Sequence, residues 1–270
     1  HLNLNGINAS LFNSFFFGKI FNQIIRLYLD NCKGSFKLDY SNSLFNLREL
    51  HITKAIEIQT NNNSLFFHSN FIESLKLSDL NITSQRLEKE FKFSNFKFIK
   101  DLDLSQNLID YIPKYYFFFN SQLEYLNLSL NKLKSIDFTQ FIRISSLKFD
   151  FNFNQIENSY FNLNGLTSHE VIMLKNNNLS FINLEFIRTY FKLMRLDLSF
   201  NKIRNFTFYP YKFRSTIEYF DLSHNELESL PDSFLEYFMW LKTLNLNNNR
   251  IRFINKHSFS KKSFLDTLLL

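Results

Sequence analysis

The sequence predicts an α/β solenoid in which short parallel strands stack turn upon turn, each followed by a return segment. Three observations predict it. First, an asparagine recurs at Asn107, Asn131, Asn154, Asn177, Asn201, Asn225 and Asn249, with a nearly constant step of about 24 residues. Second, an apolar residue stands two places after each: Ile109, Leu133, Ile156, Leu179, Ile203, Leu227 and Ile251. Third, apolar and polar residues alternate ahead of the asparagine, as in Leu196-Asp197-Leu198. That alternation suits a strand with one buried face. A fixed internal period outranks every other signal in a chain.

Leu193–Ile203 serves as the reference turn. Its apolar residues fall at positions 1, 4, 6 and 11 and its asparagine at position 9. The same spacing recurs at Leu123–Leu133, Ile217–Leu227 and Leu241–Ile251. Read backwards, the ninth slot reaches Leu80, Ala55 and Cys32, with less regular steps, the longest of them between Leu80 and Asn107. Leu2 and Leu4 read as the strand of one more turn, and Leu268 and Leu270 as the start of a last one. Strands laid side by side by such a coil must be parallel and in register. Positions 4 and 6 then face inward, and positions 3, 5, 7 and 8 face out.

The asparagine answers a hydrogen-bonding need. After the strand, backbone N–H and C=O groups turn inward without sheet partners. A carboxamide both donates and accepts, so it can bond backbone on its own turn and the next. Leu80 cannot, so its turn is expected to depart from the pattern. Pro113 and Pro231 fall in the extended return, where no ladder hydrogen bond is lost.

These residues resemble the leucine-rich repeat family, L-x-x-L-x-L-x-x-N-x-L, over essentially the whole chain. The variable halves resemble the animal-type subclass of about 24 residues, as in the ectodomains of Toll-like receptors and Slit-type proteins. There an apolar residue, sometimes followed by Pro, precedes a Phe. Ile112-Pro113 with Phe117 and Leu230-Pro231 with Phe234 fit, and Phe141 and Phe259 hold the same slot. The resemblance implies a right-handed solenoid curved like a horseshoe. Its parallel sheet would line the concave face, opposite a mostly irregular or short-helical convex side. A single array over residues 1–270, of about eleven or twelve turns, is expected. Only 4 Gly and 3 Pro argue against a linker within it.

The single cysteine, Cys32, excludes an internal disulfide framework and reads as a buried structural thiol. Cysteine-rich caps, usual in secreted members of the family, are absent. The chain opens at His1 and stops within a strand, so it reads as an inner piece of a longer array. Its apolar ends predict poor solubility or dimerisation through them. Net charge is +6, but the basic residues are scattered. The densest stretch, Lys89, Lys92, Lys97 and Lys100, is broken by Glu88 and Glu90 and reads as a solvated surface rather than a nucleic-acid or membrane patch. No run approaches the roughly 18 apolar residues of a membrane span. Membrane contact is therefore not expected here, and an anchor elsewhere stays compatible.

The six histidines lack partners at metal-ligand spacing, and the chain has no phosphate-binding glycine loop and no nucleophile elbow. The reading is therefore no enzyme, no cofactor and no metal. Asp103, Asn127, Asp150, Asp197, Asp221 and Asn245 recur at position 5. They are either an acidic track for a basic ligand or a cation, or local hydrogen-bonding groups, and the second is favoured. Sequons at Asn8, Asn62, Asn81, Asn127, Asn178 and Asn205 are about as many as chance gives in so Asn-rich a chain.

Repeat proteins bind along the concave sheet. Its outward residues in mid-array are Tyr125, Leu130, Phe153, Val171, Met173, Arg195, Phe200, Tyr219 and His224. Exposed aromatics beside Arg suit an interface core. The alternative is that the position-8 residues tuck against their neighbours. The expected function is non-catalytic recognition of a protein, peptide or microbial ligand by a receptor or adhesion ectodomain at the cell surface. An intracellular scaffold or adaptor is the alternative.

Overall fold

The computed structural model describes residues 1–8, 23–37, 46–54, 57–59, 71–91, 93–141, 143–144, 148–157, 170–183, 192–207, 215–232, 234–259 and 264–270. The chain divides into two compact units, His1–Lys132 and Leu133–Leu270. The sequence shows no such boundary, because the step from Asn131 to Asn154 is an ordinary one for this chain.

In the first unit the main strands are β1 (Leu2–Asn3), β2 (Arg26–Asp30), β4 (Glu49–Thr53), β6 (Ser74–Ser78), β7 (Asp101–Asp103) and β8 (Tyr125–Asn127). Each pairs in parallel with the next, and the fourth-position residues Leu2, Leu27, Leu50, Leu75, Leu102 and Leu126 face one another rung by rung. From Leu27 onward these leucines are buried. Two further strands, β3 (Ser35–Lys37) and β5 (Glu57–Gln59), form a small parallel sheet of their own.

The second unit repeats the plan with β9 (Lys148–Asp150), β10 (Val171–Met173), β12 (Arg195–Asp197), β14 (Tyr219–Asp221), β15 (Thr243–Asn245) and β16 (Thr267–Leu269). Phe149, Ile172, Leu196, Phe220, Leu244 and Leu268 form the matching column. Here too a separate pair, β11 (Phe181–Asn183) and β13 (Asn205–Thr207), lies outside the main sheet. The alternation in the sequence thus maps onto strands as expected. The two small sheets were not foreseen, since the return segments carry no strict period.

The return segments contain short helices. α1 (Ser84–Glu90) is capped by Thr83, whose hydroxyl accepts from the Arg86 amide, and an Arg86–Glu90 ion pair spans its last turn. It occupies the long turn between Leu80 and Asn107, where extra residues give a helix room. α2 (Phe234–Tyr237) is a single turn. Asn81 adds a second left-handed residue to the Leu80 turn, beside Asp79 in the slot where other turns have one, so the turn departs locally from the pattern.

Phenylalanines fill the space behind the leucine columns. Phe91, Phe93, Phe96 and Phe117 are buried in the first unit, and Phe138, Phe141, Phe149, Phe151, Phe220, Phe234 and Phe238 in the second. Phe93 stacks on Phe117 with ring centroids 6.1 Å apart, and Phe149 on Phe151 at 5.4 Å. Cys32 is buried as expected. Its thiol donates to the Leu4 carbonyl, and burial raises its pKa.

Candidate functional site: the solvent face of the parallel sheet

Three consecutive slots of each turn fix the geometry of this face. At position 5 the side-chain oxygen turns back onto its own chain. Asp197 Oδ1 accepts from the Ser199 amide at 3.0 Å and from its hydroxyl at 2.7 Å. Asp103, Asn127, Asp150, Asp221 and Asn245 accept from the amide two residues on in the same way. These are Asx turns, which end the strand. The position-5 groups are therefore engaged locally and do not form a free acidic track.

At position 8 the backbone becomes left-handed. Asn31, Lys54, Asp79, Gln106 and Leu130 in the first unit have φ of 53–58°, as do Phe153, Asn176, Phe200, His224 and Asn248 in the second. Most donate their amide to the following turn, as Phe200 N–H does to the Ser223 carbonyl at 2.9 Å. This conformation costs a residue with a Cβ roughly 1–2 kcal/mol, and Asn or Asp least. Leu130, Phe153 and Phe200 are costly choices there. Phe153 stays 47% exposed, whereas Phe200, 40% exposed, packs one ring face on the position-8 residue of the next turn, His224.

At position 9 the carboxamides face inward as expected, with one difference. They reach to the preceding turn, not the next. Asn201 Oδ1 accepts from the Leu179 amide at 3.0 Å, and its Nδ2 donates to the carbonyls of Leu174, Leu198 and Ser199. Asn131 and Asn225 make the same set.

The expected site residues all point outward, but they are divided between the units. Tyr125 and Leu130 belong to the first; Phe153, Met173, Arg195, Phe200, Tyr219 and His224 belong to the second. In the second unit two groups form. Phe200 stacks on His224 with centroids 3.8 Å apart, under the Lys175 ammonium at 4.8 Å, and Asn248 Nδ2 lies 3.1 Å from His224 Nε2. Beside this group, the Arg195 guanidinium covers the Tyr219 ring at 4.1 Å. The Tyr219 hydroxyl donates to Asp221 Oδ2, which also accepts from Asn245 Nδ2. Burial, then the Asp221 charge and this hydrogen bond, push the Tyr219 hydroxyl up to about 12. Lys175 and Asn248 were not singled out from sequence, and Asp221 and Asn245 were read there only as position-5 groups. Reading slots 5, 7 and 8 as columns down the repeat would have found them.

The corresponding face of the first unit is a set of paired charges. Arg26 and Glu49 meet at 2.9 Å, Lys76 and Asp103 at 3.6 Å, and the Tyr28 hydroxyl donates to Glu49. His51 sits edge-on to Tyr28 with its pKa lowered, chiefly by burial. Among the described residues no group of three His, Cys, Asp or Glu could hold a metal ion.

Stacked parallel rungs, an inward asparagine column and an outward sheet face define a repeat solenoid that presents a binding surface. A leucine rich repeat family model matches residues 98–156 and 215–270. The chain thus has the fold of a leucine-rich repeat solenoid, and the two matched stretches carry the sequence pattern of that family. Tsukushi-A of Xenopus laevis is 40% identical over 75 residues, which span 27% of this chain and 21% of that protein. A chain of the octameric complex of Latrophilin 3, Unc5D and FLRT2 superposes with a TM-score of 0.73 at 22% identity, over 92% of this chain and 74% of its own length. A chain of the Drosophila Toll–Spatzle complex gives 0.65 at 19% identity, over 93% of this chain and 38% of its own. At these identities the solved structures share the fold.

Proposed function

We propose that the protein is a non-catalytic recognition module, part of the ectodomain of a cell-surface receptor or adhesion protein. It binds a protein, peptide or microbial ligand on the solvent face of the second unit's sheet. The contact residues are Phe153, Met173, Arg195, Phe200, Tyr219 and His224. One observation carries it: Phe153 and Phe200 hold large apolar rings partly in solvent on left-handed backbone. Folding gains little from such a choice, whereas an interface gains an anchor. Likeness to chains from a Toll–Spatzle complex and a Latrophilin 3–Unc5D–FLRT2 complex supports a surface-receptor setting.

The test is selection of displayed random peptides on the wild-type protein, followed by binding to Phe153→Ser/Phe200→Ser. Selected peptides should bind the double variant at least about tenfold more weakly, a typical anchor loss. Equal affinity for both proteins would overturn the assignment of this face.

A further inference from the structure

The edge where the second unit's strands begin carries a different surface, and it lies outside the face described above. The chain's only tryptophan, Trp240, stands there 50% exposed. It is four residues ahead of Leu244, in the column that also holds Lys192, Thr216 and Phe264. Phe264 stacks parallel to it, with ring centroids 5.2 Å apart and planes 4° from parallel. Phe264 comes from the turn after Trp240 and Thr216 from the turn before, so one face of the indole is covered and the other looks back toward Thr216. That free face walls a pocket of about 260 Å³, lined among the described residues by Glu170, Lys192, Met194, Thr216, Glu218 and Trp240.

The column two residues further along supplies the charge. It reads Glu170, Met194, Glu218, Lys242 and Asp266. In the first unit the equivalent column, Arg48, Glu73 and Lys100, alternates in sign and is joined by ion pairs at both steps. In the second unit Met194 stands between two glutamates and breaks the alternation. Glu170 makes no ion pair with a described residue, and Glu218 meets Lys242 at 2.8 Å in an open, exchangeable pair. Two carboxylates thus flank an apolar floor beside a bare indole face. Among the described lining residues Lys192 is the one cation, and it is exposed enough to swing outward.

We infer that this pocket receives an arginine side chain of a protein partner. A guanidinium is planar and weakly hydrated, so it stacks on an indole face while its N–H groups fork onto carboxylates. The Met194 thioether supports the aliphatic stem. Neutral or acidic side chains would bring Glu170 no counter-charge and leave Glu218 only its exposed pair with Lys242. The inference stands independently of the sheet-face reading, because none of the pocket residues belongs to that face.

Because Trp240 is the only tryptophan, its fluorescence reports on this pocket alone. The full chain is titrated with an uncharged-terminus tetrapeptide carrying one arginine, and with the same peptide carrying citrulline, the neutral isostere. A saturable change with the arginine peptide is expected, at least about tenfold weaker with citrulline and weakened by added salt. Glu170→Gln/Glu218→Gln should lose the response while keeping the wild-type circular dichroism. Phe153→Ser/Phe200→Ser should keep it, which separates this pocket from the sheet face. Equal responses to arginine and citrulline, or an unchanged response in the glutamine variant, would overturn the inference, as would absence of saturation.

Discussion

Asn201 is a single polar side chain that serves four backbone groups on two turns. It accepts from the Leu179 amide and donates toward the carbonyls of Leu174, Leu198 and Ser199. Asn201→Ala should therefore cost about 1–3 kcal/mol, the penalty for leaving buried polar groups unpaired, as read by denaturant unfolding. Asn201→Asp should cost at least as much, since a carboxylate accepts but cannot donate to the three carbonyls. A stability equal to wild type in either variant would contradict the ladder. The neighbouring slot predicts the opposite sign. Phe153→Asn places a residue that tolerates left-handed backbone where φ is 55°. Stability should hold or rise by up to about 1 kcal/mol, while binding of selected peptides falls. At this scale the asparagine column was fully legible, because its chemistry admits few substitutes. The left-handed slot was not. Lys, Leu, Phe and Gln occupy it as well as Asn, so no residue type marks it, and only the geometry of the strand exit does.

The strands are the elements that the sequence specifies best. A period of two over positions 3 to 7 sends Leu196 and Leu198 into the core at full burial, and the main strands from β2 to β15 follow that rule in both units. Leu198→Ala should cost about 2–5 kcal/mol in unfolding free energy, because the solenoid interior cannot collapse around one rung alone. A cost below about 1 kcal/mol would mean that the column relaxes into the gap. The return segments were less legible. α1 fills the lengthened turn between Leu80 and Asn107, and its Thr83 cap lies in a sequence without a clear helical period. The parallel pairs β3 with β5 and β11 with β13 arise where adjacent returns run alongside each other. Such pairing depends on the neighbour, and a single turn read alone does not show it. The same holds for the arginine pocket. Lys192, Thr216, Trp240 and Phe264 share one column, yet only the stacking of Trp240 on Phe264 reveals which face of the indole stays open.

For the whole molecule, stability is shared between neighbours rather than held in one centre. Its pH response follows from groups such as His51, whose pKa burial holds below the ordinary imidazole value of about 6.5. The unfolded state then binds a proton more readily than the folded one. Stability is thus intact above pH of about 6.5 and declines as pH falls below it. Unfolding measured between about pH 7 and 5 should show this slope, and His51→Gln should flatten it. A slope unchanged by that substitution would assign the acid sensitivity to other groups. The division into His1–Lys132 and Leu133–Leu270 is a property of this scale alone, since the repeat passes through Lys132 with an ordinary step.

The backward reach of the carboxamides gives each unit a polarity. A rung secures the one before it and is itself secured by the one after, so damage travels toward the amino terminus. Removing the Asn201 amide group should leave the Ile203 N–H guarded by Asn225, while the Leu179 N–H loses its acceptor. In an amide exchange map of the variant, deuterium would then enter earlier at Leu179 than at Ile203. Equal uptake at the two sites would mean that neighbouring rungs protect one another symmetrically.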